Sequence, residues 1–246
     1  MVSTDSAALP IDRDPLYEGK AKIIYPAERA DEVLIRFKDE ATAFDGTKKD
    51  VIAQKGRLNA GISARLMNAL KDAGVSTHFI ESVDDVTHRA RHLEMIPVEV
   101  VVRNRAAGSL VKRFGLAEGL SIDPPLVEFY LKDDARHDPM ITPDHMRLLG
   151  IGDLDLSVEL RRLGLVINEV LKRIFDGVGL TLVDFKLEFG RDGEELVLGD
   201  EVTPDTCRLW DSKTGEKLDK DRFRFDLGDL VAGYGEIERR LDQVSP

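Results

Sequence analysis

The sequence predicts an α+β protein in two lobes, and three observations carry that prediction. Strand-like runs and long amphipathic helices share one chain of 246 residues. Their order is β-rich, helix, strands, helix, hairpin, helix, not a regular βαβ series. No internal repeat or low-complexity segment breaks that order. Leu16–Tyr25 and Val33–Phe37 read as strands around the turn-like stretch Pro26–Asp31. Residues 57–73 read as a helix: Leu58, Ile62, Leu66 and Leu70 recur every four residues, Met67 and Ala73 widen the stripe, and Gly74 stops it. Val98–Val102, opened by Pro97, is a β-branched strand. Ser109–Phe114 begins a short helix, while Pro124–Pro125 and Asp138–Pro139 read as irregular loop. Leu160, Leu163, Ile167, Val170, Leu171, Ile174 and Phe175 mark the clearest helix. Thr181–Phe189 and Glu195–Val202 form a hairpin across Gly190–Glu194, and Leu227–Leu241 is a final helix. The expected division is an arm over 1–15, a β-rich lobe over 16–95 and an α+β lobe over 96–246, with Leu93–Pro97 as the link.

The length suffices for a real core without disulfides or structural metal. Hydrophobic residues make up 42% and charged residues 33%, a globular balance. The formal net charge of −11 argues against nucleic acid and anionic lipid as partners. Small anionic substrates would need cations gathered locally. The lone cysteine, Cys207, excludes an intrachain disulfide. No apolar run reaches the ~18 residues of a membrane span, and the N-terminus lacks a secretory pattern, so the cytoplasm is the expected compartment.

Chemistry concentrates in a few segments. In Leu182–Phe189, alternation puts Asp184, Lys186 and Glu188 on one face, and Val183, Phe185, Leu187 and Phe189 on the other. The following strand ends in Gly199-Asp200-Glu201, so two strands can present carboxylates beside a lysine. Mg2+ takes oxygen ligands, usually one or two carboxylates plus substrate phosphates. Glu188 and Asp200 are therefore candidate metal ligands and Lys186 a candidate phosphate partner. The competing reading is a solvated sheet face, and register decides whether Asp200 or Glu201 joins it. Gly19-Lys20-Ala21-Lys22 lies inside the first strand, with both lysines on one face and Gly19 open to close backbone approach; a lysine-guarded edge strand competes. Arg103 and Arg105, on one side if the strand continues, precede Gly108-Ser109. Guanidinium forks suit carboxylate or phosphate, and Ser109 could add a hydroxyl and an N–H; a serine N-cap competes. Lys132–Pro139, Cys207–Asp211 and Asp221–Arg224 are dense in polar groups that a solvated loop would also explain. P-loop, Gly-x-Gly-x-x-Gly and Gly-x-Ser-x-Gly patterns are absent. His88 and His92 read as a surface pair, and Cys207 as a bystander.

Taken in order, several stretches are very similar to one family. They are Tyr17-Glu18-Gly19-Lys20-Ala21-Lys22, Thr42-Ala43-Phe44-Asp45-Gly46, Lys55-Gly56, Val101–Ser109, His137-Asp138-Pro139-Met140, Val183–Gly190, Gly199-Asp200-Glu201, Arg208-Leu209-Trp210-Asp211 and Asp219–Arg224. The family is phosphoribosylaminoimidazole-succinocarboxamide synthase, or SAICAR synthetase. The resemblance implies two α+β lobes with ATP between them, related to kinase-like and ATP-grasp architectures. It implies an ATP-dependent ligase of purine biosynthesis. That ligase joins L-aspartate to the carboxylate of carboxyaminoimidazole ribonucleotide (CAIR), giving SAICAR, ADP and phosphate through an acyl-phosphate. A small-molecule kinase with the same ATP site is the competing function. By the same resemblance Lys186, Asp184 and Asp45 would be catalytic. Lys20, Ala21, Lys22, Lys132 and Glu188 would bind ATP, with Met95 and Val98 along the adenine. Arg103, Ser109, Asp138, Arg208 and Arg224 would bind the substrate, and Glu188 and Asp200 would carry Mg2+. A homodimer is expected by analogy alone. The cations are expected to form a basic pocket, with the acidic excess on the outer face.

Overall fold

The computed structural model describes residues 11–43 and 47–243. Asp45 and residues 1–10 of the expected arm lie outside them. The chain begins with β1 (Tyr17–Glu18), β2 (Lys22–Pro26) and β3 (Glu32–Phe37). A separate two-stranded hairpin of β4 (Glu40–Ala43) and β5 (Lys48–Val51) follows, then helix α1 (Lys55–Asp72). β6 (Phe79–Ser82) and β7 (Thr87–Arg91) complete an antiparallel sheet in the order β1-β2-β3-β7-β6.

β8 (Glu94–Arg105) opens a second antiparallel sheet, followed by α2 (Gly108–Phe114), β9 (Ser121–Leu131), β10 (Met140–Ile141) and α3 (Pro143–Leu148). The long helix α4 (Leu154–Gly177) comes next, N-capped by the Asp153 side chain, which accepts from Leu156 N–H. β11 (Leu180–Asp192), β12 (Glu195–Leu198), β13 (Cys207–Asp211), α5 (Asp221–Arg224) and α6 (Leu230–Leu241) end the chain. The second sheet runs β10-β9-β8-β11-β12, with β13 also paired to β11.

The periodicity read from the sequence explains the packing. Leu58, Ile62, Leu66, Met67 and Leu70 form the buried stripe of α1, and Leu160, Ile167, Leu171 and Phe175 that of α4. One buried cluster joins Ile62 and Leu66 to Leu160 and Phe175 through Val100, Phe185 and Leu187 of the second sheet. In a second cluster, Phe223, Leu230 and Tyr234 cover Ala41 and Leu58, so the C-terminal helix closes over N-terminal elements. No helix among the described residues is long and apolar enough to cross a membrane.

β11 changes partner along its length, and this positions the site. Its first half pairs with β13 and its last residues with β12. Between them the 199–206 loop takes over: Gly199 N–H donates to Glu188 O at 2.9 Å and Lys186 N–H to Thr206 O at 2.9 Å. Asp200, Glu201 and Asp205 are thereby placed beside Lys186 and Glu188.

Several expectations are corrected. Leu16–Tyr25 is not one strand: Gly19 N–H donates to Lys22 O at 2.9 Å, making a β1–β2 hairpin with Lys20 and Ala21 at its tip. The strand expected over Val98–Val102 starts earlier and ends later, so that most of the Leu93–Pro97 link lies in the opening of β8 at Glu94–Pro97. Pro97 is tolerated there because β8–β9 pairing begins only at Val98. Pro124 and Pro125 lie within β9, at the register break beside Arg103 and Arg105, where missing N–H groups cost no ladder bond. That break also separates the two arginines, and Arg105 donates to Gly119 O at 3.0 Å. His88 is not a surface residue: it is buried on β7 between the rings of Phe37 and Phe79.

Burial above all, then the neighbouring His78, pushes the His88 pKa down to about 4. Its unfolded value is about 6.5, so the unfolded chain binds that proton first. His88 therefore withdraws stability as pH falls from about 6.5 to 4, by about 3 kcal/mol at the end of that window. Urea unfolding of the protein and of His88→Phe at several pH values checks this. The difference in unfolding free energy should shift steadily in favour of Phe across that window; a pH-independent difference would mean that His88 titrates normally.

Candidate active site

Two cavities meet at the middle of β11. One is a cleft of about 640 Å³ between the β1–β2 hairpin, the 132–138 loop and the β11–199–206 corner. The other is a chamber of about 370 Å³ on the Arg103, Asp184 and Arg208 side. Lys20, Ala21, Glu99, Lys186 and Glu201 line both. Lys186 thus stands at their junction.

The cleft is organised by shared ion pairs. On the β8–β11 ladder Glu188 faces Glu99 directly, and Lys186 relieves the repulsion by reaching both, at 2.5 Å and 3.1 Å. Its Nζ also stands 3.5 Å from Asp200 Oδ2. Burial favours the neutral amine of Lys186, but Asp200, Glu188 and Glu99 outweigh it and hold the ammonium well above its ordinary pKa. Lys22 pairs with Asp200 and Glu201, and Lys132 with Glu188. Burial tends to raise Asp200, yet Lys22 and Lys186 keep it well below the usual carboxylate range. Glu201, penalised by burial and by Asp200, is pushed up to about 7. Lys20, at the hairpin tip, pairs with Asp134 across the cleft mouth at 2.8 Å.

The chamber is built on Asp184, paired across the ladder with Arg103. Arg103 Nη1 donates to Asp184 Oδ2 at 2.7 Å, and Arg208 Nη1 donates to the same oxygen at 2.9 Å. Glu128 accepts from Arg103 Nε at 2.7 Å, and Asp221 bridges Arg208 at 3.0 Å and Arg224 at 2.7 Å. Gly108 has φ +55° and a Cβ there would sit 2.5 Å from Arg208 Nη2, so only glycine lets the guanidinium lie against this turn.

Most of the expected residues come together. Lys20, Ala21, Lys22, Lys132, Lys186, Glu188 and Asp200 line the cleft; Arg103, Asp184, Arg208 and Arg224 line the chamber. Lys20 and Lys22 do not share a strand face, because the hairpin sends them to different carboxylates. Asp138 lines the cleft, not the chamber, and accepts from Asp133 N–H at 2.8 Å. Ser109 is not an N-cap; it lies in the first turn of α2, and its hydroxyl accepts from Arg103 Nη2 at 3.1 Å behind the chamber wall. Met95 and Val98 stay out of both walls: Val98 is buried, and the Met95 sulfur covers Gly199, where a Cβ would lie 2.9 Å away. Cys207 does reach the chamber wall, but burial raises its thiol pKa and keeps it protonated. The basic pocket is only half right. The cleft wall carries eight carboxylates against five lysines; the chamber has the cationic excess.

Glu99 and Glu128 were missed, although each interrupts an apolar β run, a signal that could have found them. Asp205, Lys55 and Lys220 were also missed. Lys55 is fully buried against Asp205, and nothing local in the sequence announces a pair 150 residues apart. Among the described residues no group of three or more His, Cys, Asp or Glu forms a ready-made metal cage. Glu188 and Asp200 nevertheless converge on one cation, the Lys186 ammonium. Two carboxylates meeting at a point suit Mg2+ that completes its shell with phosphate oxygens and water.

Comparison with known proteins points to one family. The family model described as SAICAR synthetase matches residues 15–241. The phosphoribosylaminoimidazole-succinocarboxamide synthase of Persephonella marina is 50% identical over 231 residues, 94% of this chain and 97% of that protein. The crystal structure of the synthase of that name from Ehrlichia chaffeensis superposes with a TM-score of 0.91 at 43% identity, covering 95% of this chain and 100% of that one. A SAICAR synthetase solved in complex with ADP gives 0.90 at 48% identity, covering 94% and 98%.

Asp184 carries the tightest prediction about the chamber. Asp184→Asn leaves Arg103 and Arg208 facing each other with one negative charge fewer in a buried setting. The loss should cost about 3 kcal/mol of unfolding free energy, measured by urea denaturation. An unchanged midpoint would show that solvent already screens this pair.

Proposed function

The chain belongs to the SAICAR synthetase family, and from that premise we propose how its two cavities carry out ATP-dependent amide formation between L-aspartate and the carboxylate of CAIR. The observation that carries the proposal is the place of Lys186, on the wall between an ion-paired cleft and an arginine-lined chamber. A carboxylate does not acylate an amine in water, because hydroxide-like oxygen is a poor leaving group. ATP supplies the remedy: the substrate carboxylate oxygen attacks the γ-phosphorus, ADP leaves, and the acyl-phosphate then accepts the amine with loss of phosphate.

Both steps demand positioning and charge neutralisation from the protein, not a protein nucleophile. In our reading ATP phosphates lie in the cleft and draw Lys20, Lys22 and Lys132 away from Asp134, Asp200, Glu201 and Glu188. Glu188 and Asp200 are the residues that would hold Mg2+, which would supply charge neutralisation at the phosphates. Lys186 follows the transferring group across the junction. The chamber takes the nucleotide: Arg103, Arg208 and Arg224 meet its phosphate and carboxylate, Ser109 braces Arg103, and Asp184 fixes the two guanidinium planes. Met95 and Val98 keep the place beside the adenine that the family resemblance implies, through backbone N–H and C=O groups of that segment. Asp138 belongs with the cleft by position. Asp45 keeps only the role that the family resemblance implies. Residues 16–95 and 96–246 would serve as the two lobes; the sheet changes between β7 and β8, just before that boundary, which itself falls inside β8.

Incubation with Mg·ATP and CAIR tests the activity. ADP and the succinyl amide should both appear only when L-aspartate is present; aspartate-independent ADP with a phosphorylated product would instead mark a kinase. The metal assignment has its own test. Glu188→Gln and Asp200→Asn should each raise the Mg2+ concentration for half-maximal rate about tenfold or more, the loss of one charged ligand. Unaltered Mg2+ dependence in both variants removes them as ligands.

A further inference from the structure

The chamber contains a lysine that the steps above leave unused. Lys220, immediately before α5, lines it together with Lys186, Arg208, Arg224 and Asp205. Its Nζ is 3.7 Å from Asp205 Oδ1, too long for a hydrogen bond. Asp205 is already committed elsewhere. Lys55 Nζ and Asn59 Nδ2 donate to Oδ2, the latter at 3.0 Å, and Tyr234 OH donates to Oδ1 at 2.7 Å. One carboxylate therefore stands between two ammonium groups, and the fully buried Lys55 holds the closer position.

The remaining groups around Lys220 do not restore the balance. Burial is the largest influence and disfavours its charge; Lys55 and Arg224 act the same way, against Asp205 and Glu201. The carboxylates Glu99 and Glu201 on the chamber wall are already engaged by Lys186 and Lys22, and the remaining chamber groups are poor proton acceptors. Lys186 is held firmly charged by its three carboxylates. Asp205 is kept ionised far below its usual range by Lys220 and Lys55, which outweigh the effect of burial. Arg103, Arg208 and Arg224 remain protonated throughout.

The reaction needs such an acceptor. The α-nitrogen of aspartate is an ammonium at neutral pH and has no lone pair to attack with. We propose that Lys220 is the base that removes this proton. The inference rests on the amide-forming function proposed above. Lys220 rests as an ammonium beside Asp205; in its neutral form, which burial favours, it takes one proton from the substrate ammonium and becomes an ammonium again. The freed nitrogen pair forms the C–N bond, and the acyl C–O pair leaves with phosphate. The second proton on the new amide nitrogen departs with phosphate or water, and Lys220 returns its proton to solvent before the next turnover.

The test compares the unmodified enzyme with Lys220→Met and Lys220→Arg, using L-aspartate and 3-fluoroaspartate, whose fluorine makes the amine less basic. Thermal shifts with ADP verify that each variant folds; Arg preserves charge and volume should Met fail. In both variants kcat/KM for aspartate should fall about 100-fold or more near pH 7, the usual scale for a lost general base, with KM for ATP unchanged. The acid limb of the pH profile should move up toward the pKa of the substrate amine, and 3-fluoroaspartate should recover part of the loss. Full activity in Lys220→Arg would overturn the proposal, since charge alone would then suffice. So would an equal loss with both amines and an unmoved pH limb. If the unmodified enzyme makes no aspartate-dependent amide, the functional reading fails instead, and the lysine is not at issue.

Discussion

Lys186 cannot stand in its cleft alone. Taking an ammonium out of water costs several kcal/mol unless good partners replace the lost hydration. The partners come from three separate pieces of chain: Glu99 on β8, Glu188 on β11 itself and Asp200 on the 199–206 loop. Satisfying one charge therefore fixes where those pieces meet. It accounts for the change of partner along β11, because an unbroken β12 ladder would leave no room for the loop that carries Asp200. Lys22 repeats the logic at longer range, tying the first sheet to Asp200 and Glu201.

Most charges in the cleft are answered by another protein charge: Lys22 by Asp200 and Glu201, Lys132 by Glu188, Lys186 by Glu99, Glu188 and Asp200. Binding ATP or a nucleotide is then an exchange of partners, not the filling of a waiting basic hole. The exchange keeps the cost of desolvation small on both sides, since lysines pass from carboxylate to phosphate while carboxylates pass from lysine to metal. On the function proposed above, such an exchange lets a chain of net charge −11 handle anions. The excess of carboxylates in the cleft suits a site where cations arrive with the substrate. The excess of guanidinium groups in the chamber suits a substrate that arrives without one.

Local pattern made much of this legible. Alternation in Leu182–Phe189 put Asp184, Lys186 and Glu188 on one face, and the structure agrees. The four-residue recurrence in α1 and α4 located both buried stripes. Failures came where pairing between distant segments decides. Nothing within Leu16–Tyr25 reveals that Gly19 turns the chain back, because that depends on the Gly19–Lys22 hydrogen bond closing before a longer strand can form. The proline pairs looked like loop, but register breaks in β8 and β9 spared them any ladder bond. Met95 and Val98 were placed by resemblance, for backbone groups along the adenine; their side chains pack against Gly199 and into the core. Lys55 and Asp205 find each other only through the tertiary fold.

The ion pair between Lys22 and Asp200 joins positions 178 residues apart, and α6 seals Ala41 and Leu58. Contacts of such separation carry a large loop-closure cost before they repay it. During synthesis the ribosome releases β1 to β7 long before β11 or α6 exists. Those strands must wait with apolar surface uncovered, which makes the emerging N-terminal half the stage most exposed to aggregation. The cleft needs residues as late as Glu201 and the chamber residues as late as Arg224, so neither cavity is complete until the last part of the chain has emerged.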